Sequence, residues 1–158
     1  MRYELKITAP TESTEPITLN TESGASNNGN DQNAITKVDF KIDTVDENPK
    51  NRTDHVLVKM EIHGIINPNT MSECTKMLEW AKLANNEDVY RTVSLKIKGE
   101  DSKLIRSYFI KKMFVEDYYE SFVTTDENNS TEKLQYTLKL IQVCGNLKLV
   151  NAECGTAD

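Results

Sequence analysis

The chain has 158 residues and a mass of 18.0 kDa, 37% apolar and 28% charged, which suffices for one core and is too short for two ordinary domains. Its 19 basic and 25 acidic side chains leave a formal charge of −6 and a pI near 5.0, a balance that repels a phosphate backbone and excludes general nucleic-acid binding. No stretch approaches the roughly 18 consecutive apolar residues of a membrane-spanning helix, and the N-terminus lacks the apolar run of about 7 to 15 residues of a signal peptide, so synthesis in the cytoplasm without direct membrane insertion is expected.

Tyr3, Leu5 and Ile7 alternate with Glu4, Lys6 and Thr8, the period of a strand with one buried face, and Pro10 stops it. Residues 9–34 then run through Thr, Ser, Glu, Asn and Gly with too little apolar surface to offset the entropy of ordering, which predicts a long flexible polar loop or arm. Val38, Phe40 and Ile42 form a second alternating strand. After an acidic turn over 43–54, Val56, Val58, Met60 and Ile62 form a third, closed by Gly64 and Asn67-Pro68-Asn69.

A single helix is expected over 70–84. Thr70 and Glu73 stand in capping-box spacing, and Met71, Cys74, Met77, Leu78, Ala81 and Ala84 repeat at three- and four-residue steps. Strands resume with Val89–Lys98, turn at Gly99–Ser102, return as Lys103–Ile110 and continue as Lys112–Val123. A polar hairpin loop over 124–132 leads to the strand bearing Leu134, Tyr136, Leu138 and Leu140. Leu147-Lys148-Leu149 closes the pattern, and 152–158 reads as a frayed tail. The fold class is therefore mainly β: one domain over 1–158, a small antiparallel β-barrel or sandwich of seven to eight strands with a single flanking α-helix.

Residue types that carry catalysis do not converge. His55 and His63 share a strand face by parity, yet about 3.3 Å per residue separates them by about 26 Å, too far to share a metal. Glu116 and Glu120 are placed on one face about 13 Å apart, beyond the spacing of paired acid and base. Cys74, Cys144 and Cys154 match no zinc or disulfide framework and are expected to be reduced thiols. Lys96, Lys98, Lys103 and Arg106 read as solvated strand faces. No nucleotide-binding, hydrolase or calcium motif is present, so no catalytic, cofactor-binding or metal residue is assigned, no cofactor is expected, and the chain is not read as an enzyme.

From Asn67 onward the order of elements resembles the tube proteins of contractile injection machines: the phage tail tube, and the haemolysin-coregulated protein of type VI secretion. The residues that carry the likeness are the lone helix Thr70–Ala81, Val89-Tyr90-Arg91-Thr92-Val93, the aromatic and acidic strand Tyr108–Phe122, and Tyr136–Gln142 as the last long strand. The resemblance implies a small β-barrel with one helix, six copies of which form a ring, with rings stacking into a hollow conduit inside a contractile sheath. It implies the chain itself, sheath, baseplate and tape-measure proteins as partners, and incorporation into a phage tail or secretion apparatus. Two other readings compete: a monomeric small-ligand-binding β-barrel, against which Phe40, Met60, Leu95 and Phe114 suggest a filled interior, and a hydrolase or toxin-like effector using Glu116 and Glu120.

Overall fold

The computed structural model describes residues 1–21, 31–44, 56–124 and 133–155. Among these, eight strands form one antiparallel sheet: β1 (Arg2–Thr8), β2 (Ile17–Asn20), β3 (Lys37–Thr44), β4 (Val56–Ile65), β5 (Arg91–Lys98), β6 (Leu104–Val123), β7 (Lys133–Gln142) and β8 (Val150–Cys154). One α-helix, α1 (Met71–Lys82), stands between β4 and β5, and short 3-10 turns cover Glu87–Val89 and Leu147–Leu149. The strand order is β2-β1-β5-β6-β7-β4-β3, with β8 also on β6. The sheet is not closed by backbone pairing, so it is a curled, sandwich-like form of the expected architecture. Phe40 of β3 reaches Tyr108 of β6 across the opening, with ring centroids 4.6 Å apart.

β6 is the spine. Met113 pairs with Arg91 of β5 on one edge and with Gln142 of β7 on the other. Before Met113, β6 lies between β5 and β8; beyond it, only β7 pairs with it. The changeover occurs at Lys112, whose φ of 62° is left-handed, and the carbonyls of Lys111 and Lys112 are taken by Gln142 Nε2 at 3.0 Å and the Val143 N–H at 2.9 Å. A left-handed residue with a Cβ costs about 1 to 2 kcal/mol, so those bonds hold a kink that the sequence alone disfavours.

The alternation of apolar residues builds one interior. Leu5, Ile7, Val58, Met60, Ile62, Leu95, Ile110, Leu138 and Leu140 converge from both parts of the sheet, and Cys74, Met77 and Trp80 of α1 close over them. Gly64 is required at its place: a Cβ there would meet the Ala34 carbonyl and the ring of its cross-strand partner Tyr136, whose buried hydroxyl donates to that same carbonyl.

Several expectations need correction. The arm over 9–34 is not loose in its described parts: Ile17–Asn20 pairs with β1, Ile17 and Leu19 are fully buried, and Ala34 and Ile35 seal the entry to β3. Two inward residues suffice because the neighbouring strand and helix supply the rest of the hydrophobic environment. Residues 22–30 lie outside the described ones, as do most of the 43–54 turn and all but the first residue of the 124–132 loop. The tail does not fray at 152, since β8 runs to Cys154 against β6; 156–158 are outside the described residues.

The capping box does not form. Thr70 Oγ1 instead donates to the Ile65 carbonyl at 2.7 Å, and Asn67 Oδ1 organises the turn by accepting from the N–H groups of Asn69 and Thr70. Glu73 is drawn inward, accepting from the Thr18 N–H at 2.8 Å and Lys76 Nζ at 3.0 Å. The buried face of α1 is Glu73, Cys74, Met77 and Trp80, so Met71 and Leu78 are left exposed.

Candidate interaction surfaces

The residues singled out for chemistry are dispersed. A bulge between Val115 and Asp117 shifts parity along β6, which separates the two acids expected to share a face. Glu116 turns to the outer side, 3.9 Å from Lys59, while Glu120 lies opposite the inward Tyr136 and accepts from the Tyr118 hydroxyl at 2.8 Å. His55 lies outside the described residues.

Among the described residues, His63 has the one arrangement with a catalytic look. Its Nε2 is 2.8 Å from Glu61 Oε1 and its Nδ1 is 3.1 Å from Thr137 Oγ1, the order of an acid, a base and a hydroxyl nucleophile. Acyl transfer also needs donors aimed at a developing oxyanion. Here β4 and β7 are both internal strands, paired on each side, so the nearby backbone N–H groups are committed to the ladder. The three groups satisfy one another on an open sheet face.

Cys74 lies on the buried face of α1, and burial in apolar surroundings pushes its thiol up to about 12. Cys144 and Cys154 are exposed, and Cys154 Sγ is 2.9 Å from Arg106 Nη1. No group of three or more metal-ligating side chains occurs among the described residues.

A polar anchor that the sequence did not reveal joins the start of the chain to the end of the helix. Arg91, 5% exposed, lies 5.1 Å over the Trp80 ring and donates from Nε to the Asp88 carbonyl at 2.9 Å. Trp80 Nε1 donates to the Val89 carbonyl at 2.8 Å. Hydrogen bonds from the Thr14 hydroxyl and from Thr11 hold the Asp88 carboxyl below the usual carboxylate range. A Thr-rich loop flanking β1 carried the only signal, and no local pattern names its partner 74 residues away.

Among the described residues, exposed apolar groups gather in three places, apart from Met1 and from Ile42 of β3, which was expected on that strand's buried face. Met71 and Leu78 lie on the outer side of α1; Tyr119, Phe122 and Val123 stand at the far end of β6; Tyr90, Ile105 and Phe109 lie along its first half and the approach to β5. The concave sites are shallow and sit on sheet faces: a depression of about 530 Å³ between Thr8, Tyr90, Phe109 and Lys111, and one of about 390 Å³ between Asp39, Lys59, Glu61 and Glu116. The interior itself is occupied by Trp80, Tyr136, Met60, Met77 and Met113. Broad faces and free strand edges are surfaces for protein contact and poorly suited to enclosing a small molecule.

No family model and no curated protein sequence matches the chain. Solved structures do match its fold. Hcp1 from Salmonella typhimurium aligns at 11% identity over 89% of this chain and 81% of its own, with a TM-score of 0.51. Hcp1 from Flavobacterium johnsoniae aligns at 12% identity over 96% and 98%, with a TM-score of 0.50. A chain of the sheath/tube terminator of PVC, an extracellular contractile injection system in its extended state, aligns at 9% identity over 97% and 94%, with a TM-score of 0.51. The chain is similar in fold to these proteins along nearly its whole length, in agreement with the resemblance drawn from its sequence.

Proposed function

We propose that the chain is a structural, non-catalytic tube subunit of a contractile injection machine, which assembles into hexameric rings that stack into a hollow conduit within a sheath. The observation that carries this reading is the shared fold with Hcp1 and with a chain of the PVC sheath/tube terminator over four fifths or more of each chain. The filled interior and the exposed apolar ends of β6 support it, because both direct binding energy outward. Sheath, baseplate and tape-measure proteins are the further partners, in a phage tail or a secretion apparatus. Among the described residues, no helix is long and apolar enough to cross a membrane.

Negative-stain microscopy and sedimentation velocity of the purified full chain test the reading. Rings of six copies are the expected result, with short stacks at high concentration. A species that stays monomeric at every concentration reached would refute it.

A further inference from the structure

The backbone edges of the sheet differ in how far they are blocked. β2 is four residues long, and its outward groups are taken: the Thr18 N–H by Glu73 at 2.8 Å, the Asn20 carbonyl by the Asp31 N–H at 3.0 Å, and the neighbouring Pro16 carbonyl by Lys76 Nζ at 3.4 Å. The far half of β6 is broken by its bulge and bonded to α1 through the Tyr118 hydroxyl. β8 has only five residues. β3 is the contrast. It ends the sheet order, runs eight residues beside β4 without a register shift, and among the described residues no hydrogen bond reaches its outer edge.

The residues of that edge are complementary to themselves. Lys37, Asp39, Lys41 and Asp43 share the outer face, with side chains 64%, 54%, 65% and 40% exposed. They pair along the strand, Lys37 with Asp39 at 3.1 Å and Lys41 with Asp43 at 3.4 Å. Val38, Phe40 and Ile42 alternate with them on the other face, where Phe40 stacks on Tyr108 and Ile42 is left 54% exposed.

When a second β3 lies antiparallel along this edge, centred on Phe40, Lys37 stands opposite Asp43, Asp39 opposite Lys41 and Val38 opposite Ile42. A slide of two residues is the smallest that keeps donors against acceptors and each face continuous. In one direction it sets Lys37 opposite Lys41 and Asp39 opposite Asp39; in the other, Asp39 opposite Asp43 and Lys41 opposite Lys41. A parallel copy presenting the same edge is turned over, so that its charged face continues the apolar face of the first. Charges that repel other arrangements attract in one.

We propose that β3 of one copy pairs with β3 of a second in that antiparallel register, forming a two-fold dimer through a continuous sheet. Backbone hydrogen bonds and the cover that Val38 gives Ile42 supply the association; the exposed ion pairs contribute little energy and set the register. The contact is isologous, each patch meeting its own copy. Rings stacked in one direction repeat contacts between unlike patches, so this pairing is additional to the tube contacts and does not rest on them.

Disulfide trapping on the full chain, with Cys144→Ser and Cys154→Ser to remove the exposed thiols, tests it. A Lys37→Cys chain mixed with an Asp43→Cys chain brings the two thiols directly opposite, with Cα atoms about 4.5 to 5.5 Å apart and within disulfide reach. Either variant alone holds its own thiols about 20 Å apart, six residues along the ladder. The mixture should cross-link at least about tenfold faster than either variant alone. Adding Asp39→Lys to both chains sets Lys against Lys41 and should slow the trapping by about tenfold; adding Lys41→Asp as well should restore it. Should a variant fail to fold by circular dichroism, hydrogen exchange of the wild type decides: amides over 37–44 should gain protection as protein concentration rises. Folded chains that trap no faster in the mixture, a charge swap that rescues nothing, or exchange that ignores concentration overturns the dimer and leaves the tube reading standing.

Discussion

The two halves of β6 share one backbone and differ in everything around it. From Leu104 to Met113 the strand lies between β5 and β8, with Ile110 and Met113 fully buried. From Phe114 to Val123 it pairs with β7 alone, and from Tyr119 onward every residue is exposed. The first half is held by neighbours on both edges, with Ile110 and Met113 committed to the core while Ile105 and Phe109 stay exposed. The second half packs Val115 and Tyr118 against the core, the Tyr118 hydroxyl donating to the Cys74 carbonyl of α1, and beyond Tyr118 it leaves an unpaired backbone edge and exposed apolar groups. If copies meet at the far end, folding and the proposed assembly are separable along a single strand, and substitutions at its two ends should fail in different ways.

The most extreme contrast is in reactivity. Cys74 on the buried face of α1 should react with a thiol reagent on the order of a thousandfold more slowly than Cys144 and Cys154 at pH 8, because modification requires local opening and its thiolate is disfavoured. A titration that shows two fast thiols and one protected thiol checks this; three equal rates would mean that the helix side is not sealed. The same burial has a pH consequence. With its folded pKa near 12 against an ordinary value of 9.0, the neutral Cys74 thiol supports the fold fully below pH 9, and this contribution declines as pH rises from there toward 12. Cys74→Ala should flatten the alkaline limb of a stability profile.

Trp80→Ala tests the sealed region directly. The indole is 2% exposed, donates to Val89, and supports Arg91. Its removal leaves a cavity and an unsupported buried guanidinium, for a loss of about 3 to 5 kcal/mol, or roughly 10 °C in Tm for a chain of this length. Thermal unfolding followed by circular dichroism checks the value. A shift of a degree or two would show that the α1 cap is not what holds the core.

What could be read in the sequence follows the same division. β1, β4, β5 and β7 announce themselves by alternating inward and outward residues, whereas β3 alternates in sequence but turns only Val38 and Phe40 toward the core and leaves Ile42 exposed. β2 does not: Ile17-Thr18-Leu19-Asn20 has two inward residues in a polar context, and β1 on one side with Glu73 on the other makes it a strand. Glu73 misled for a related reason. Its spacing from Thr70 fits a local cap, but an N–H 55 residues away competes for the carboxylate, and local spacing cannot show that. β8, five residues with no buried member, is defined wholly by its ladder to β6. The acids in the aromatic strand were visible, yet the bulge that sends Glu116 and Glu120 to opposite sides leaves no mark in the residue order. Long-range pairing is the information that periodicity lacks.

The smallest stability effect should accompany a pronounced assembly effect. Phe122→Ser with Val123→Ser removes two side chains that touch water over more than half their area, so unfolding should shift by no more than about 0.5 kcal/mol. If the far end of β6 is where copies meet, the same substitutions should move sedimenting material from rings toward monomers, because apolar anchors near the centre of a contact carry most of its energy. A chemical denaturation curve and a sedimentation profile on one sample separate the outcomes. Intact rings with unchanged stability would place the contact elsewhere on the sheet, whereas a large drop in stability would mean that the second half of β6 belongs to the core after all, and the division between its halves would fail.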